Sequence, residues 1–168
     1  MARINVGTEF KLRNRRRLRE SDAEEISRKL IELLGVCEGF GNIVDLMDAP
    51  SYQVLLVGNK AMGIKFGERI FLTVRGVLRY KPTRKYVTVD MGAVPYICNG
   101  ADVMSPGVVD VEKSIVAGEF VWVRDARNLR PLAVGEALLS ADEMLRRERG
   151  KAIKTITYVG DALWKLDE

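Results

Sequence analysis

At 168 residues, with 47% apolar and 30% charged side chains, the chain is long enough for one domain or two small ones and too apolar for a disordered tail. No apolar run approaches the roughly 20 residues of a membrane span, and no apolar secretory core follows the N-terminal charges, so neither membrane insertion nor export is expected. The formal net charge of +4 is unevenly spread: residues 1–85 carry 17 basic and 10 acidic side chains and residues 86–168 carry 10 and 13, which puts the field that attracts polyanions on the N-terminal half.

A strand is expected before Lys11. It leads into KLRNRRRLR, where Lys11, Arg13, Arg15, Arg16, Arg17 and Arg19 crowd together. This run reads either as a solvated helix face or as an arm whose mutual repulsion a polyanion relieves. Ser21-Asp22-Ala23-Glu24 fits a capping box with Ser21 as N-cap. The helix it opens should run to about Leu34, with Ile26, Leu30, Leu33 and Leu34 as its apolar stripe and Gly35 as its stop. The acids Asp22, Glu24 and Glu25 then sit in the first turn, where the helix dipole favours them. Between residues 43 and 77 short antiparallel strands are expected, at 53–57, 62–66 and 70–74. Gly58-Asn59-Lys60 and Gly67-Glu68-Arg69 supply the hairpin turns. A second basic group, Arg75, Arg79, Lys81, Arg84 and Lys85, surrounds Lys81-Pro82-Thr83, the expected domain boundary.

The second half is punctuated by Gly92, Gly100 and Gly107, each able to turn with positive φ or to let a ligand approach. Asn99-Gly100 and Ser105-Pro106-Gly107 are turn sequences. Residues 120–123 and 132–139 have strand composition, and Ile153, Ile156 and Tyr158 mark another strand. Short helices are expected near residues 93–98 and 141–149. Cys37 and Cys98 form no CxxC pair and read as reduced core thiols. Trp122 and Trp164 read as core or barrel-edge residues. Tyr80 and Tyr86, beside Arg79, Arg84 and Lys85, would suit base stacking with phosphate contacts.

Enzyme chemistry finds little purchase. The absence of histidine removes Ser-His-Asp and Cys-His catalysis and histidine-held metals. There is no P-loop or GxGxxG fingerprint, and no cofactor or metal is expected.

Five pieces occur in a telling order: VDMGA, NGADVMSPGV, EFVWVRD, PLAVGEALLS and GDALWKL. Together they resemble the PUA domain, an RNA-binding module named for pseudouridine synthases and archaeosine transglycosylases. The whole chain resembles the malignant-T-cell-amplified-sequence (MCT) family and its archaeal relatives, which place a short N-terminal domain before the PUA module. The resemblance implies an α+β fold, with an N-terminal α+β domain over residues 1–82 and a PUA β-barrel-like domain over 83–168. It also sets aside Asp90 as a catalytic aspartate, because the PUA module of those synthases is an appended binding domain.

What the resemblance implies about function is a non-catalytic, cytoplasmic RNA-binding protein of translation. The RNA would be tRNA, at its acceptor end, or rRNA on the small ribosomal subunit, with a protein partner carrying an initiation-factor-like domain. An accessory factor presenting RNA to a modification or assembly enzyme, and a protein–protein adaptor, remain alternatives. The candidate RNA contacts are Gly92, Ala93, Gly100, Ala101, Asp102, Val103, Met104, Ser105, Pro106 and Gly107 in the loop, Arg13, Arg15, Arg16 and Arg17 in the run, and Arg84, Lys85, Lys151 and Lys154. The loop reads equally as a structural corner, and Lys151 and Lys154 as solubilising charges. Arg15, Arg16 and Arg17 are expected at the surface, replaceable without loss of fold.

Overall fold

The structure, a computed structural model, describes residues 10–166. The strand expected before Lys11 lies outside the described residues. Among these, eleven strands form two sheets. The first is antiparallel, in sequence order: β1 (Arg13–Arg17), β2 (Asp45–Asp48), β3 (Gln53–Val57), β4 (Lys60–Phe66) and β5 (Arg69–Leu72). The arginine run is therefore a strand and not a helix face. All five of its residues are exposed at a sheet edge, where charged side chains discourage pairing with another chain.

Helix α1 (Glu20–Leu34) buries Ala23, Ile26, Leu30 and Leu34, and Gly35 closes it at φ 64° with its N–H on the Ile31 carbonyl. The Ser21 capping box does not form. The helix begins two residues earlier, after Arg19, which contributes no side-chain cap. Tertiary pinning explains the shift: the Leu18 N–H is held by the Val44 carbonyl, so the chain turns before it reaches Ser21. Glu20 and Asp22 still bring negative charge to the first turn.

The two hairpin turns fall where the glycines predict, with Gly58, Asn59 and Gly67 all at positive φ. The strand expected to reach Val74 stops at Leu72. Thr73 intervenes: its hydroxyl donates to the Ala61 carbonyl at 2.7 Å and accepts from the Gly76 N–H at 3.0 Å, capping helix α2 (Val74–Tyr80).

The second sheet runs β7 (Val103–Met104), β11 (Lys151–Tyr158), β10 (Pro131–Ala137), β9 (Phe120–Asp125), β6 (Tyr86–Val89), β8 (Val108–Val111). Its one parallel pairing, β6 with β9, joins the start of the module to its middle. Helices α3 (Val94–Ile97), α4 (Ala141–Leu145) and α5 (Ala162–Lys165) are short. Two sheets with interspersed helices make the chain α+β, as expected.

No strand pairing links the two sheets among the described residues, yet a single hydrophobic cluster reaches from one to the other. Phe120, Trp122, Val134 and Leu163 pack with the core of the first sheet, and the Phe120 ring lies 5.3 Å from Phe66 and 6.0 Å from Phe71. Arg69 stacks 3.9 Å over Phe120 and donates to the Gly118 carbonyl, while Arg75 stacks over Trp164 and donates to its carbonyl at 3.0 Å. Trp122 is a core residue whose indole N–H bonds the Arg84 carbonyl at 2.8 Å, and Trp164 is half-buried. Tyr80 and Tyr86 are also half-buried, packed on Phe40 and on Trp122. The cysteines depart from expectation: both are exposed, because the neighbouring Val36 and Ile97 take the inward positions.

Candidate nucleic-acid interface

The glycine loop builds a cavity of about 530 Å³. Its construction starts at Asp90, whose N–H bonds the Gly107 carbonyl and whose Oδ1 accepts the Ala93 N–H at 3.0 Å. This turn launches α3, which presents Tyr96 outward and Ile97 inward. The chain then reverses at Gly100 (φ 90°), so that the Ala101 N–H returns to the Tyr96 carbonyl. The Asp102 carboxylate fastens the returning loop to β11: Oδ1 accepts the Thr155 N–H at 2.9 Å and Oδ2 pairs with Lys151 at 2.9 Å. Partial burial works to raise the Asp102 carboxyl, but the bonds from Lys151 and Thr155 outweigh it and hold the group below the usual carboxylate range.

Of the loop candidates, Gly92, Ala93, Ala101, Asp102, Val103, Met104, Pro106 and Gly107 line this cavity, joined by Lys151. Others play different parts. Val103 is 1% exposed and forms the floor. Ser105 is equally buried, so its side chain is closed to RNA, and its hydroxyl finds no hydrogen-bond partner among the described residues. Gly100 stands off the cavity: an added Cβ would meet the Tyr158 ring at 3.0 Å, so its smallness serves packing. Gly92 and Gly107 are not among the positive-φ glycines. A Cβ on Gly107 would come 3.3 Å from that of Ala93, inside the cavity wall. Lys154 lies outside the lining, exposed, close enough for its charge to act on Asp102.

Asp90, Tyr96 and Ile97 line the cavity without having been candidate contacts, and Tyr96 is the exposed aromatic among them. It is 71% exposed, in a four-residue helix opened by the Asp90 turn, and an aromatic residue just after a proline was the available signal.

The basic candidates divide. Arg15 Nε donates to Asp45 Oδ2 at 2.8 Å and its Nη2 to Asn59 at 2.6 Å. Arg17 Nε donates to Asp45 Oδ1 at 2.5 Å, and Arg16 pairs with Asp48 at 3.1 Å. Strand β2 thus supplies counter-charges that the run alone does not reveal. The Arg17 and Arg15 guanidiniums hold the Asp45 carboxyl low against its burial. Asn14, with Gln53 and Arg16, brings Asp48 down to about 2. Arg13 is exposed with no partner among the described residues, and Arg84 is exposed. Lys85 is no surface cation. It is 7% exposed, paired with Glu119 at 2.8 Å and bonded to Ser114, at a backbone φ of 61° that turns it inward.

A second cleft, about 640 Å³, runs between α1, β5 and the start of β9 and contains none of the candidate residues. Among the described residues no cluster of three or more metal-binding side chains occurs, and no helix is long and apolar enough to cross a membrane.

The PUA domain profile matches residues 85–159. An uncharacterized protein of Methanocaldococcus jannaschii is 36% identical over 121 residues, 72% of this chain and 75% of that one. Translation machinery-associated protein 20 of Eremothecium gossypii is 27% identical, with 67% of this chain and 65% of that protein aligned. Malignant T-cell-amplified sequence 1-A of Xenopus laevis is 26% identical over 68% and 65%. The aligned segment spans just under two thirds of both eukaryotic relatives. The crystal structure of a hypothetical protein from the archaeon Pyrococcus horikoshii superposes with a TM-score of 0.79 at 34% identity, over 91% of this chain and 99% of that one.

Proposed function

The chain belongs to the PUA-domain protein family that includes its archaeal relatives, and from that membership we propose that it is an RNA-binding protein of the translation machinery that grips an RNA end in the cavity and the RNA backbone along β1. The observation that carries this reading is the cavity itself. The loop of the PUA segment folds into a concave site with an exposed tyrosine and methionine on its wall and a lysine at its mouth. An unstacked terminal nucleotide suits such a site, and phosphates suit the arginine strand, which positions without reading sequence.

In finer terms, the RNA is tRNA held at its acceptor end, on the small ribosomal subunit, with a protein partner carrying an initiation-factor-like domain. Residues 1–82 and 83–168 act as the two parts of the protein, in the cytoplasm and without catalysis of their own. The name of the Eremothecium gossypii relative, translation machinery-associated protein 20, supports a role in translation over the adaptor reading. Fluorescence anisotropy with tRNA, and with the same tRNA lacking its terminal nucleotides, tests it. Tighter binding of the complete tRNA that Met104→Arg abolishes, in a protein that still unfolds cooperatively, is the expected result. Equal binding of both tRNAs by the wild type would sink the end-recognition reading.

A further inference from the structure

The charges lining the cavity are the wrong ones for a phosphate. Among the described residues, Asp90, Asp102 and Lys151 are the charged side chains that line it, two carboxylates against one ammonium. The ammonium is already committed to Asp102 at 2.9 Å. Asp90 gives one oxygen to the Ala93 N–H, and its other oxygen has no partner among the described residues. Helix α3, four residues long, offers no dipole to offset them. The rest of the wall is apolar or aromatic: Ala93, Tyr96, Met104, Pro106.

We propose that this cavity admits only an uncharged RNA terminus, a 3′ nucleoside with its hydroxyls free, and rejects an end that carries a terminal phosphate. The inference rests on the reading of the cavity as an RNA-end site and adds to it a rule of chemical selection. The base packs against Tyr96 and Met104. The ribose hydroxyls donate to carboxylate oxygen, which a phosphate monoester cannot do without bringing its charge against Asp90. The linking phosphodiester stays outside, towards exposed Lys154. RNA ends made by polymerisation or nucleotide addition carry the free hydroxyls, whereas ends left by attack of a 2′ oxygen on the chain carry phosphate. A protein so built holds finished ends and passes over such fragments.

The test uses the full chain and two acceptor-stem hairpin RNAs of one sequence, ending in a 3′-hydroxyl or a 3′-phosphate. Wild type should favour the hydroxyl end on the order of tenfold or more at low salt, because a phosphate monoester, about −1.5 to −2 at neutral pH, meets an uncompensated carboxylate in a partly enclosed site. The preference should shrink towards unity between about 50 and about 300 mM salt as screening grows. Asp90→Asn/Asp102→Asn keeps hydrogen-bond acceptors for Ala93 and Thr155 but removes the carboxylate charge and the second acceptor oxygen, so it should weaken binding of the hydroxyl end and lose the preference, the two ends then binding alike. Equal affinity of wild type for both ends overturns the inference and leaves RNA binding standing. A preference that persists in the folded double variant, or that does not weaken with salt, also overturns it. Binding of neither RNA overturns the RNA-end reading and the inference together. Should the double variant fail to fold, the wild-type salt series decides.

Discussion

Lys85 places its ammonium 2.8 Å from the Glu119 carboxylate with only 9% of its side chain exposed, so a lysine that reads as an RNA contact is a structural tie between the start of β6 and the approach to β9. Glu112 joins the same knot by accepting the Lys85 N–H at 3.0 Å. Replacing Lys85 by alanine should destabilise the fold by about 2–3 kcal/mol, towards the lower side of a broken buried pair because Glu119 keeps partial access to water. Urea unfolding measures this. The salt dependence of RNA binding should not change; a lower slope in a protein of unaltered stability would restore Lys85 as a contact.

Within β1 the arginines should not count equally. Arg17 engages Asp45 through Nε and keeps both terminal nitrogens available, and Arg13 has no partner among the described residues. Arg15 and Arg16 use terminal nitrogens on Asn59 and Asp48. Arg13→Ala and Arg17→Ala should each lower the log–log salt slope of RNA binding by about 0.7 for a single-stranded contact or about 0.9 for a duplex one. Arg15→Ala and Arg16→Ala should lower it less and loosen the edge strand instead. Equal slopes across all four variants would contradict this division.

Reversing Arg15, Arg16 and Arg17 together to glutamate no longer counts as a neutral surface change. Three new carboxylates would face Asp45 and Asp48 across the β1–β2 ladder. The triple variant should melt below wild type at neutral pH and recover part of the difference as pH falls, measured as Tm against pH.

The same acids set the acid limit of wild type. Asp45 and Asp48 both titrate lower in the folded chain than in the unfolded one, Asp48 at about 2 against an ordinary 3.8. The unfolded state therefore takes up protons first on acidification. Their stabilisation is fully present above the unfolded value and is lost progressively from about pH 4–5 down towards pH 2. Asp45→Asn should flatten that part of the stability profile.

Gly100 and Gly107, alike in sequence, should behave differently. Gly100→Ala meets both a positive φ and the Tyr158 ring, and should cost about 1–2 kcal/mol in stability. Gly107→Val should leave the fold nearly intact, since φ there is ordinary, and narrow the cavity from its Ala93 side. Thermal unfolding and end-discrimination assays on the two variants should give opposite patterns.

How much of this was legible depended on the range of the governing interaction. Turns at Gly58-Asn59 and Gly67-Glu68 are local, and the sequence located them. So was the stop of α1 at Gly35. The start of that helix was not, because a hydrogen bond from the Leu18 N–H to the carbonyl of distant Val44 outweighed the local Ser21 cap. Helix α2 stayed hidden because Val74-Arg75-Gly76-Val77 has weak helix propensity, and its cap depends on Thr73 docking at Ala61 of another strand. All the loop candidates but Gly100 and Ser105 converged on one cavity because their glycine and proline positions mark a local turn. Of the basic candidates only Lys151 joined them; the β1 arginines and Lys85 did not, because their partners Asp45, Asp48 and Glu119 lie far along the chain and carry no sign of it.

The aromatic bridge of Phe66, Phe71 and Phe120, clamped by Arg69, has a metrical consequence. Two surfaces joined by a flexible tether can adapt to any spacing of ligand, whereas two surfaces set in one close-packed core keep a fixed interval. An RNA that spans both the arginine strand and the cavity has to present its backbone at that interval from its end. On the proposed reading the two surfaces would act as a calliper, and loosening its jaws at Phe120 should widen the range of lengths accepted.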